Sequence, residues 1–390
     1  MDLDAFEWLL TEPGQRLLER AAHAPEDPLK ASAELRKDSA AEHVAAALTQ
    51  VELRRRAEEK FGPSAARMYF TPDGLEQATR LTVARHRAAR LVAAGTGTAI
   101  DLGCGIGGDL IAVAEAGVTV AGVDLDPVRV AVARANLAAL GLPGAVAVSD
   151  ATQVDHSGFD VAFADPARRS ARGRSFAVDD WTPPWPFVLD VLGRDACVKV
   201  APGIPHDLVP DGVEAEWVSD HGEVKEAALW SGSLASTTRR ATVIGAGGLA
   251  TLTDEDAPEL GSQGVEVRAV GEFLYEPDGA VIRAGLVTAV ATGVGGGLVD
   301  EHIAYVTGDS AFRTPFARGY RVREELPYRE KQLRAALRER GIGRLTIKKR
   351  GVAVVPEELR KRLALAGEAE GTIVLTRVAG QGVCLLVEPF

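Results

Sequence analysis

The chain has 390 residues, a length that indicates two or three domains. Its composition, 46% hydrophobic and 25% charged, is that of an ordinary globular protein and excludes a disordered or fibrous chain. The net charge of −11 argues against a nucleic-acid-binding surface that covers the whole protein, and no apolar run approaches the roughly 18 residues of a membrane span.

Compartment and metal content are predicted from the start of the chain and from its cysteines. The start, Met1 to Asp4, is acidic and has no basic segment before an apolar stretch, so we expect no secretory signal. Cys104, Cys197 and Cys384 are far apart and lack C-x-x-C spacing, which predicts reduced thiols, no disulfide framework and no zinc site. We therefore expect a cytoplasmic protein without a metal centre or a membrane contact, and the sequence leaves its oligomeric state open.

Residues 1–65 predict an N-terminal helical region. Several prolines divide this region into short helices, and a charged helix over residues 51–61 is predicted to end at Gly62. Apolar residues recur there at spacings of three and four, in Phe6, Leu9, Leu10, Leu17 and Leu18.

Residues 66–245 predict a Rossmann-like α/β domain, because strands and helices alternate at the spacing of βαβ units in a parallel sheet. Two further β-rich runs, joined by the turn Asp220–Gly222, predict a hairpin that closes one edge of the sheet. The predicted strands are Ala99–Leu102, Val118–Val123, Ala145–Val148, Phe159–Phe163, Ala196–Val200, Glu214–Val218 and Val224–Trp230. The predicted helices are Gly107–Ala116, Pro127–Leu140 and Pro184–Leu192.

Two regions follow this domain. Residues 246–318 are rich in Gly and Val and predict a β-rich connecting region with two strands. Residues 319–390 predict a small α/β domain of ferredoxin-like proportions. They carry fifteen Lys/Arg against nine Asp/Glu, a net charge of +6, which leaves −17 for the rest of the chain. The predicted strands of this last domain are Tyr320–Arg323, Leu345–Lys348, Ile373–Val378 and Val383–Val387, and its helices are Tyr328–Arg340 and Pro356–Ala364.

A glycine-rich turn follows the first predicted strand. It contains Gly103, Gly105 and Gly107, and it leads directly into a helix. Glycine lets the backbone turn tightly and approach a ligand closely, although such a turn can also be purely structural. Its place between strand and helix predicts a ligand site at the carboxyl ends of the strands.

Carboxylates at three successive strand ends indicate which cofactor this site takes. Asp124, with Leu125 beside it, lies 21 residues after Gly103, where an acid binds both hydroxyls of a ribose. Asp101 would repel a pyrophosphate but suits the cationic sulfonium and ammonium groups of S-adenosylmethionine. Asp150, followed by Ala151, is placed to accept a hydrogen bond from an adenine amino group, or it is a solvated turn acid. The pattern favours S-adenosylmethionine over NAD.

The stretch from Ile100 to Leu142 resembles the cofactor half of class I methyltransferases, in particular the trimethylguanosine synthase group and its bacterial relatives. Phe70, Thr71 and Pro72 are similar to a segment that those enzymes fold over the cofactor. The C-terminal domain resembles the THUMP-like domain attached to some bacterial methyltransferases. The resemblance spans about residues 65–240 and 320–390, and it implies a methyltransferase fold and activity without naming a substrate.

The fourth predicted strand ends at Asp165-Pro166-Ala167-Arg168. In amino-directed methyltransferases, this strand end carries an acceptor residue, two prolines and an aromatic residue. Asp165 fits the acceptor role, and Pro166 and Arg168 complete the catalytic candidates; the alternative role for Asp165 is a helix cap. Since Ala167 and Arg168 replace the second proline and the aromatic residue, the resemblance leaves the target atom open.

The candidate substrate-binding residues form two basic groups and one aromatic. Arg168, Arg169 and Arg172 lie beside the proposed catalytic position and suit the clamping of phosphates, or they form a solvated loop. Trp185 is placed to stack on a base or packs the loop. Lys348, Lys349 and Arg350, at a strand end of the C-terminal domain, form a second patch with the same alternative of a solvated surface.

The sequence therefore predicts a methyltransferase that modifies a base nitrogen of tRNA or rRNA, with RNA as its partner. The basic C-terminal domain and the arginine-rich loop are the features that point to RNA. A small-molecule methyltransferase and a non-catalytic RNA-binding protein with a vestigial cofactor fold are the alternatives. Covalent catalysis by cysteine is not expected, because Cys104 lies in the glycine turn and Cys197 in a buried strand.

Overall fold

The computed structural model describes residues 2–166, 182–259 and 265–390, and the backbone of two short strands within 169–174. The chain divides into two compact units. Unit 1 consists of Met1–Glu214 and Ala227–Ser236, and unit 2 of Ala215–Glu226 and Thr237–Phe390.

The first three helices of unit 1 begin where the sequence supplies capping groups. Side chains of Asp2, Thr11 and Asp27 accept hydrogen bonds from backbone N–H groups in the first turns of three N-terminal helices. Pro13 and Pro28 lie in those first turns, so these prolines start helices as well as separating them. The helices are α1 (Leu3–Leu9), α2 (Glu12–Ala22), α3 (Pro28–Leu35), α4 (Ala41–Phe61), α5 (Pro72–Gln77), α6 (Leu81–Ala93), α7 (Gly108–Glu115), α8 (Pro127–Leu140) and α9 (Trp185–Val191).

The sheet of unit 1 confirms the predicted Rossmann-like fold. Its strands lie in the order β9-β7-β4-β1-β2-β3, and all pair in parallel except β9, whose residues 227–231 run antiparallel to β7. The short strands β5 and β6 pair only with each other. The first nine strands are β1 (Thr98–Leu102), β2 (Thr119–Asp124), β3 (Ala145–Val148), β4 (Val161–Ala164), β5 (Arg169–Ser170), β6 (Gly173–Arg174), β7 (Ala196–Val200), β8 (Glu214–Asp220) and β9 (Glu223–Ser231).

The N-terminal helices and the sheet of unit 1 share one hydrophobic core. The buried cluster includes Phe6 and Leu17 from the first two helices together with Ile111 and Val132 from helices that flank the sheet. Burial of each such side chain stabilises the fold by about 1.5–3 kcal/mol. The N-terminal helices are therefore part of the folding unit that carries the glycine-rich turn.

Unit 2 contains more regular structure than the sequence indicates. Where two strands were expected over residues 246–318, the described part of that range, 246–259 and 265–318, contains four strands and two helices. The remaining elements are β10 (Arg239–Gly245), β11 (Gly248–Thr253), β12 (Phe273–Pro277), α10 (Gly279–Ala284), α11 (Val287–Gly293), β13 (Gly297–Asp300), β14 (Ile303–Gly308), β15 (Ala317–Leu326), α12 (Glu330–Glu339), β16 (Ile342–Lys349), α13 (Pro356–Leu363), β17 (Ala369–Val378) and β18 (Gln381–Pro389).

One topological expectation for this part of the chain is wrong and one is confirmed. Strand β8 is not at an edge, because β10 pairs with it in parallel and β11 continues the sheet. The C-terminal domain has the predicted order of strand, helix, strand, helix, strand and strand, since it runs β15-α12-β16-α13-β17-β18. It forms part of a seven-stranded sheet of order β13-β14-β12-β15-β18-β17-β16, in which β16 and β17 are parallel.

Within the described residues, none of the helices combines the length and the apolar character needed to cross a bilayer.

Candidate functional site

The glycine-rich turn joins β1 to α7 at the carboxyl end of the sheet. Gly103, Gly105 and Gly107 all adopt positive φ, at +127°, +54° and +85°, a region that side chains with a Cβ rarely enter. A Cβ added at Gly105 would have no described atom within 4 Å. The turn therefore presents bare backbone to open space, which is the arrangement needed for close approach of a ligand.

Asp101 lies in β1 directly before this turn and is only 4% exposed. Burial, followed by repulsion from Asp109 and Asp165, raises its pKa well above the usual range, and Arg87 opposes this shift. Its Oδ1 has no hydrogen-bond partner among the described residues. A buried carboxylate with an unsatisfied oxygen is suited to receive a cationic group.

Asp124 ends β2 and is bonded to the glycine-rich turn. Its Oδ2 accepts a hydrogen bond of 3.0 Å from the backbone N–H of Gly105, and its Oδ1 accepts one of 2.9 Å from that of Asp126. The next residue, Leu125, is 65% exposed although it is large and apolar. This strand end thus places an oriented carboxylate and an exposed apolar surface side by side.

Asp150 follows β3 and caps a short 3-10 turn at Ala151–Gln153. Its carboxylate accepts hydrogen bonds from the backbone N–H of Thr152 at 2.9 Å and from the hydroxyl at 2.8 Å. These bonds lower the pKa of Asp150. The side chain is exposed and structures its own turn, as the solvated-acid alternative anticipated, and its position still follows the third strand.

Asp165 follows β4 and is held by a lysine from β7. Its Oδ2 accepts a hydrogen bond of 2.6 Å from Nζ of Lys199, whose side chain is 12% exposed. The same ammonium lies 3.2 Å from Oγ1 of Thr79, which in turn donates to Oδ2 of Asp109 at 2.9 Å. The candidate acceptor is therefore fixed by a network that spans four segments of the chain.

The network ends at Arg87, which is 2% exposed. Its guanidinium pairs with Asp109 and lies over the ring of Phe163, 4.6 Å from the centroid. The site contains three carboxylates, those of Asp101, Asp109 and Asp165. The network contains two cations, Lys199 and Arg87. Full ionisation would leave an excess negative charge, and a bound cation would compensate it.

Sequence reasoning missed these supporting residues. Lys199 interrupts the otherwise apolar strand Ala-Cys-Val-Lys-Val, and a charge in a buried strand needs a partner. That signal was present in the sequence, but the sequence does not identify Asp165 as the partner. Arg87 and Asp109 carry no comparable signal, because polar residues on helices are ordinarily solvated. Thr79 lies in the short link between α5 and α6, where a polar residue is equally ordinary.

The segment before α5 packs beside the glycine-rich turn. Phe70 is fully buried, with its ring centroid 5.5 Å from that of Phe61, and its backbone is hydrogen-bonded on both sides to Gln50. Thr71 caps α5 through its hydroxyl, which accepts from the N–H of Gly74 at 3.0 Å. Phe70 therefore anchors the segment through the core, and Thr71 and the following Pro72 are the members that line open space.

Two polar residues fix this segment in place. The fully buried Asn136 donates to the carbonyls of Tyr69 and Ile106 at 3.0 and 2.9 Å and accepts from the N–H of Tyr69 at 2.6 Å. Lys60 donates to the backbone carbonyls of Leu75, Glu76 and Ala78 at the end of α5. The segment and the glycine-rich turn are thus bonded to the same side chain.

A cavity of about 240 Å³ lies where the segment meets the start of α8. It places Thr71 and Pro72 next to Asp126, two residues beyond Asp124. Its lining residues are Thr71, Pro72, Asp73, Asp126, Val128 and Arg129.

Several sequence-predicted substrate residues lie outside the described side chains, namely Arg168, Arg169 and Arg172. Pro166 is buried, and Trp185 is half-buried at the start of α9.

The second basic group lies in unit 2 at the end of β16. Lys348 pairs with Glu276 at 3.3 Å, and Lys349 is exposed. The guanidinium of Arg350 lies over the ring of Tyr305, 5.6 Å from the centroid.

Cysteine and metal chemistry find no support in the described residues. Cys104, Cys197 and Cys384 are buried thiols that form no disulfide with a described residue, and burial raises the pKa of the Cys104 thiol above the usual range and that of Cys384 to about 12. No group of three or more His, Cys, Asp or Glu side chains within the described ranges is arranged to hold a metal ion.

Comparisons with known proteins agree with this geometry. Family models match a domain of unknown function over residues 2–57, a methyltransferase domain over residues 99–169, and a THUMP domain-like region over residues 317–389. The fold and the site thus define a class I methyltransferase with a C-terminal THUMP-like domain.

Relatives over most of the chain establish the family. Two uncharacterised S-adenosylmethionine-dependent methyltransferases, from two strains of Mycobacterium tuberculosis, are each 40% identical over 340 residues, which cover 84% of this chain and 90% of the relative. A crystal structure of a proposed methyltransferase from Porphyromonas gingivalis W83 has the same fold, with a TM-score of 0.75, 22% identity, and coverage of 96% and 98% of the two chains. The chain belongs to the S-adenosylmethionine-dependent methyltransferases, and S-adenosylmethionine is its cofactor. The NAD alternative is thereby set aside.

Proposed function

We propose that this enzyme methylates a base nitrogen of RNA, with tRNA or rRNA as the substrate. The observation that carries the RNA part is the THUMP-like region at 317–389, which overlaps residues 319–390, whose net charge is +6 on an otherwise acidic chain. A basic module attached to an acidic catalytic part favours an anionic polymer that contacts the basic module. The names of the relatives specify no substrate, so this part of the proposal rests on the chain's own composition.

The cofactor pocket in this proposal lies at the carboxyl ends of the first three strands. The residues fit the cofactor, because Asp101 has an unsatisfied buried oxygen and Gly105 opens the backbone toward the same mouth. Asp101 binds the amino acid part, Asp124 the ribose hydroxyls, and Asp150 with Ala151 the adenine amino group. The remaining wall consists of Gly103, Gly107, Leu125, Thr71 and Pro72, and the buried Phe70 anchors this wall from the core.

S-adenosylmethionine supplies an electrophilic methyl group, so the work of the chain is to align the acceptor and to receive its proton. A carboxylate oxygen of Asp165 accepts a hydrogen bond from the target amine and orients its lone pair. As the nitrogen–carbon bond forms and the sulfur–carbon bond to the methyl group breaks, S-adenosylhomocysteine is left and the proton passes from the amine to Asp165 through that hydrogen bond. Lys199 positions Asp165 and stabilises its charge across the 2.6 Å contact.

The residues around Asp165 complete the substrate side of the proposal. Pro166 supplies the adjoining backbone carbonyl as a second acceptor, and Arg168, Arg169 and Arg172 hold phosphates of the strand beside the target base. Trp185 stacks on a base, and Lys348 to Arg350 bind the strand on the THUMP-like region.

Tritium transfer from labelled cofactor to RNA tests the proposal. The acceptor is total RNA from a strain that lacks the gene, since RNA from the parent strain is already modified. We expect the wild-type enzyme to place label on RNA, so that ribonuclease removes it. Asp165→Ala should transfer at least about 100-fold less label. Asp155→Asn should transfer as much label as wild type. Asp155 is the matched control because it is an exposed turn acid of the same unit. No transfer to this RNA would contradict the proposal, and mass spectrometry of its nucleosides identifies the modified base.

The acidity of the rest of the chain favours one competing function, methylation of a small molecule. Residues 1–318 carry a net charge of −17, which does not attract a polyanion. Label that resists ribonuclease and passes into the small-molecule fraction would support that function. A third possibility, a non-catalytic RNA-binding protein, predicts RNA binding without affinity for S-adenosylhomocysteine in calorimetry.

A further inference from the structure

Unit 2 contains a cavity of about 1070 Å³, and Lys348 and Arg350 of the second basic group lie in its lining. Its walls come from the β10–β11 turn, the end of β12, residues 312–319, the end of β16 and the terminal Phe390. Pockets for small ligands typically measure about 300–1,000 Å³. The cavity has room for a nucleotide and part of its neighbour.

Four cationic side chains line this cavity, namely Arg313, Arg318, Lys348 and Arg350. Arg313 and Arg318 are exposed, and Arg313 makes no ion pair with any described residue. The buried Nε of Arg350 has no hydrogen-bond partner in the described part of the chain. An unsatisfied buried guanidinium nitrogen is costly, and an anionic ligand would satisfy it.

The two acids of the lining are already engaged. Glu276 pairs with Lys348 at 3.3 Å and accepts a hydrogen bond of 3.0 Å from the hydroxyl of Tyr320. Asp278 caps α10 by accepting from the N–H of Ala280 at 2.8 Å. With four cations against two acids, the lining carries a net charge of +2 and favours an anion.

The cavity also has apolar walls that an inorganic anion would not need. Leu249 and Phe312 both line it, and they are 51% and 49% exposed although they are large and apolar. Phe390 packs edge-on against Phe273, with ring centroids 5.3 Å apart, and lies so close to Gly319 that a Cβ there would come within 2.5 Å of the ring. Three apolar side chains thus offer surface to a flat, hydrophobic group.

The turn between β10 and β11 forms one rim of the cavity. At Gly245 and Gly247, neither a positive φ nor a neighbouring described atom within 4 Å requires glycine. A side chain at either position would extend into open space at the rim. Close approach of a ligand to the backbone accounts for both glycines, because a Cβ would obstruct it.

We infer that this cavity binds a nucleotide unit, with the base against Phe312 and Leu249 and the phosphate on Arg313, Arg318 and Arg350. A purely apolar ligand would leave the cations unsatisfied, and inorganic phosphate would leave the apolar walls exposed. The nucleotide is either a free nucleoside monophosphate or part of an RNA strand, and only the second source rests on the proposed function.

Calorimetry on the full-length protein tests the inference. Saturating S-adenosylhomocysteine occupies the cofactor pocket, and the probes are cytidine 5′-monophosphate, cytidine, inorganic phosphate and a cytidine hexaribonucleotide. The variants are Arg313→Gln and Phe312→Ala, with Arg329→Gln as the matched control, an exposed arginine of unit 2 outside the cavity lining. Affinity for S-adenosylhomocysteine, measured separately, verifies that unit 1 of each variant is folded, and a thermal melt that matches wild type verifies unit 2.

We expect the monophosphate to bind more tightly than cytidine or phosphate, and each cavity variant to weaken it about tenfold or more. The Arg329 control should change the affinity less than twofold. A hexanucleotide that binds far more tightly than the monophosphate identifies an RNA strand as the source, and equal affinities identify the free nucleotide. Failure of every probe to bind at up to about 10 mM, or binding that Arg313→Gln and Phe312→Ala leave unchanged, would overturn the inference. If the nucleotide binds and the cavity variants weaken that binding, but the enzyme methylates no RNA, the inference stands and only the proposed function is contradicted.

Discussion

Replacing Asp101 by Asn tests the electrostatic account of the cofactor pocket. The variant keeps the shape of the side chain and removes a carboxylate that is 4% exposed and has an unsatisfied Oδ1. Because water hardly screens this position, a charge-assisted hydrogen bond to the cofactor ammonium contributes about 1.5–3 kcal/mol. We therefore expect the Kd for S-adenosylhomocysteine to rise about 10- to 150-fold.

The same variant should stabilise the protein in the absence of cofactor. The pKa of Asp101 is raised by burial and by Asp109 and Asp165, so the folded protein holds this proton to a higher pH than the unfolded chain does. Stability is then lost as pH rises from about 3.9, the ordinary aspartate pKa, to the raised value. Asp101→Asn removes that loss, so its advantage in melting temperature over wild type should be larger at pH 7 than at pH 5.

The affinity for the cofactor should change with pH in the opposite direction to the stability. A cationic ligand prefers the ionised carboxylate, so wild-type affinity for S-adenosylhomocysteine should increase with pH below the raised pKa and then level off. The variant should lack this increase. Calorimetry and thermal melts at the two pH values measure both effects, with Asp155→Asn as the control. Unchanged affinity in Asp101→Asn, or a stability difference that does not vary with pH, would refute the reasoning.

Three further variants test the contacts around the site. Lys199→Met removes the cation that holds Asp165, so turnover should fall at least about tenfold, with affinity for S-adenosylhomocysteine changed less than threefold. Asn136→Ala leaves buried backbone groups of two segments unpaired and should lower the free energy of unfolding by about 2–4 kcal/mol, measured in urea. Glu214→Gln removes the charge of a fully buried carboxylate that lies 2.7 Å from Arg90, and should cost about 2–4 kcal/mol in the same assay.

The controls for these variants come from the chain itself. Lys225→Met breaks the pair with the exposed Glu223 and should change stability by less than about 1 kcal/mol. Wild-type turnover in Lys199→Met would show that the lysine is only structural. Unfolding of Asn136→Ala or Glu214→Gln at the wild-type urea concentration would contradict the assigned roles of those hydrogen bonds.

Short-range patterns predicted much of unit 1 correctly. Strands β3 and β7 and helix α8 have the predicted limits, because apolar runs, prolines and glycines mark them locally. The sequence patterns underestimated the amount of regular secondary structure in residues 246–318 of unit 2. Strand β12 pairs with β15, β14 pairs with β12 and β13 pairs with β14, and local sequence does not encode these pairings.

By itself, the sequence determined the class of fold, the glycine-rich turn and the strand-end acids, since each depends on residues adjacent in the chain. Tertiary structure alone decided which polar groups meet. Lys199 reaches Asp165 across 34 positions and Thr79 across 120, and Asn136 joins Tyr69 to the glycine-rich turn across 67. Tertiary structure likewise decided the core that the N-terminal helices share with the sheet of unit 1, and the cavity of unit 2. Contacts between distant segments follow from how the elements pack, and no local pattern records them.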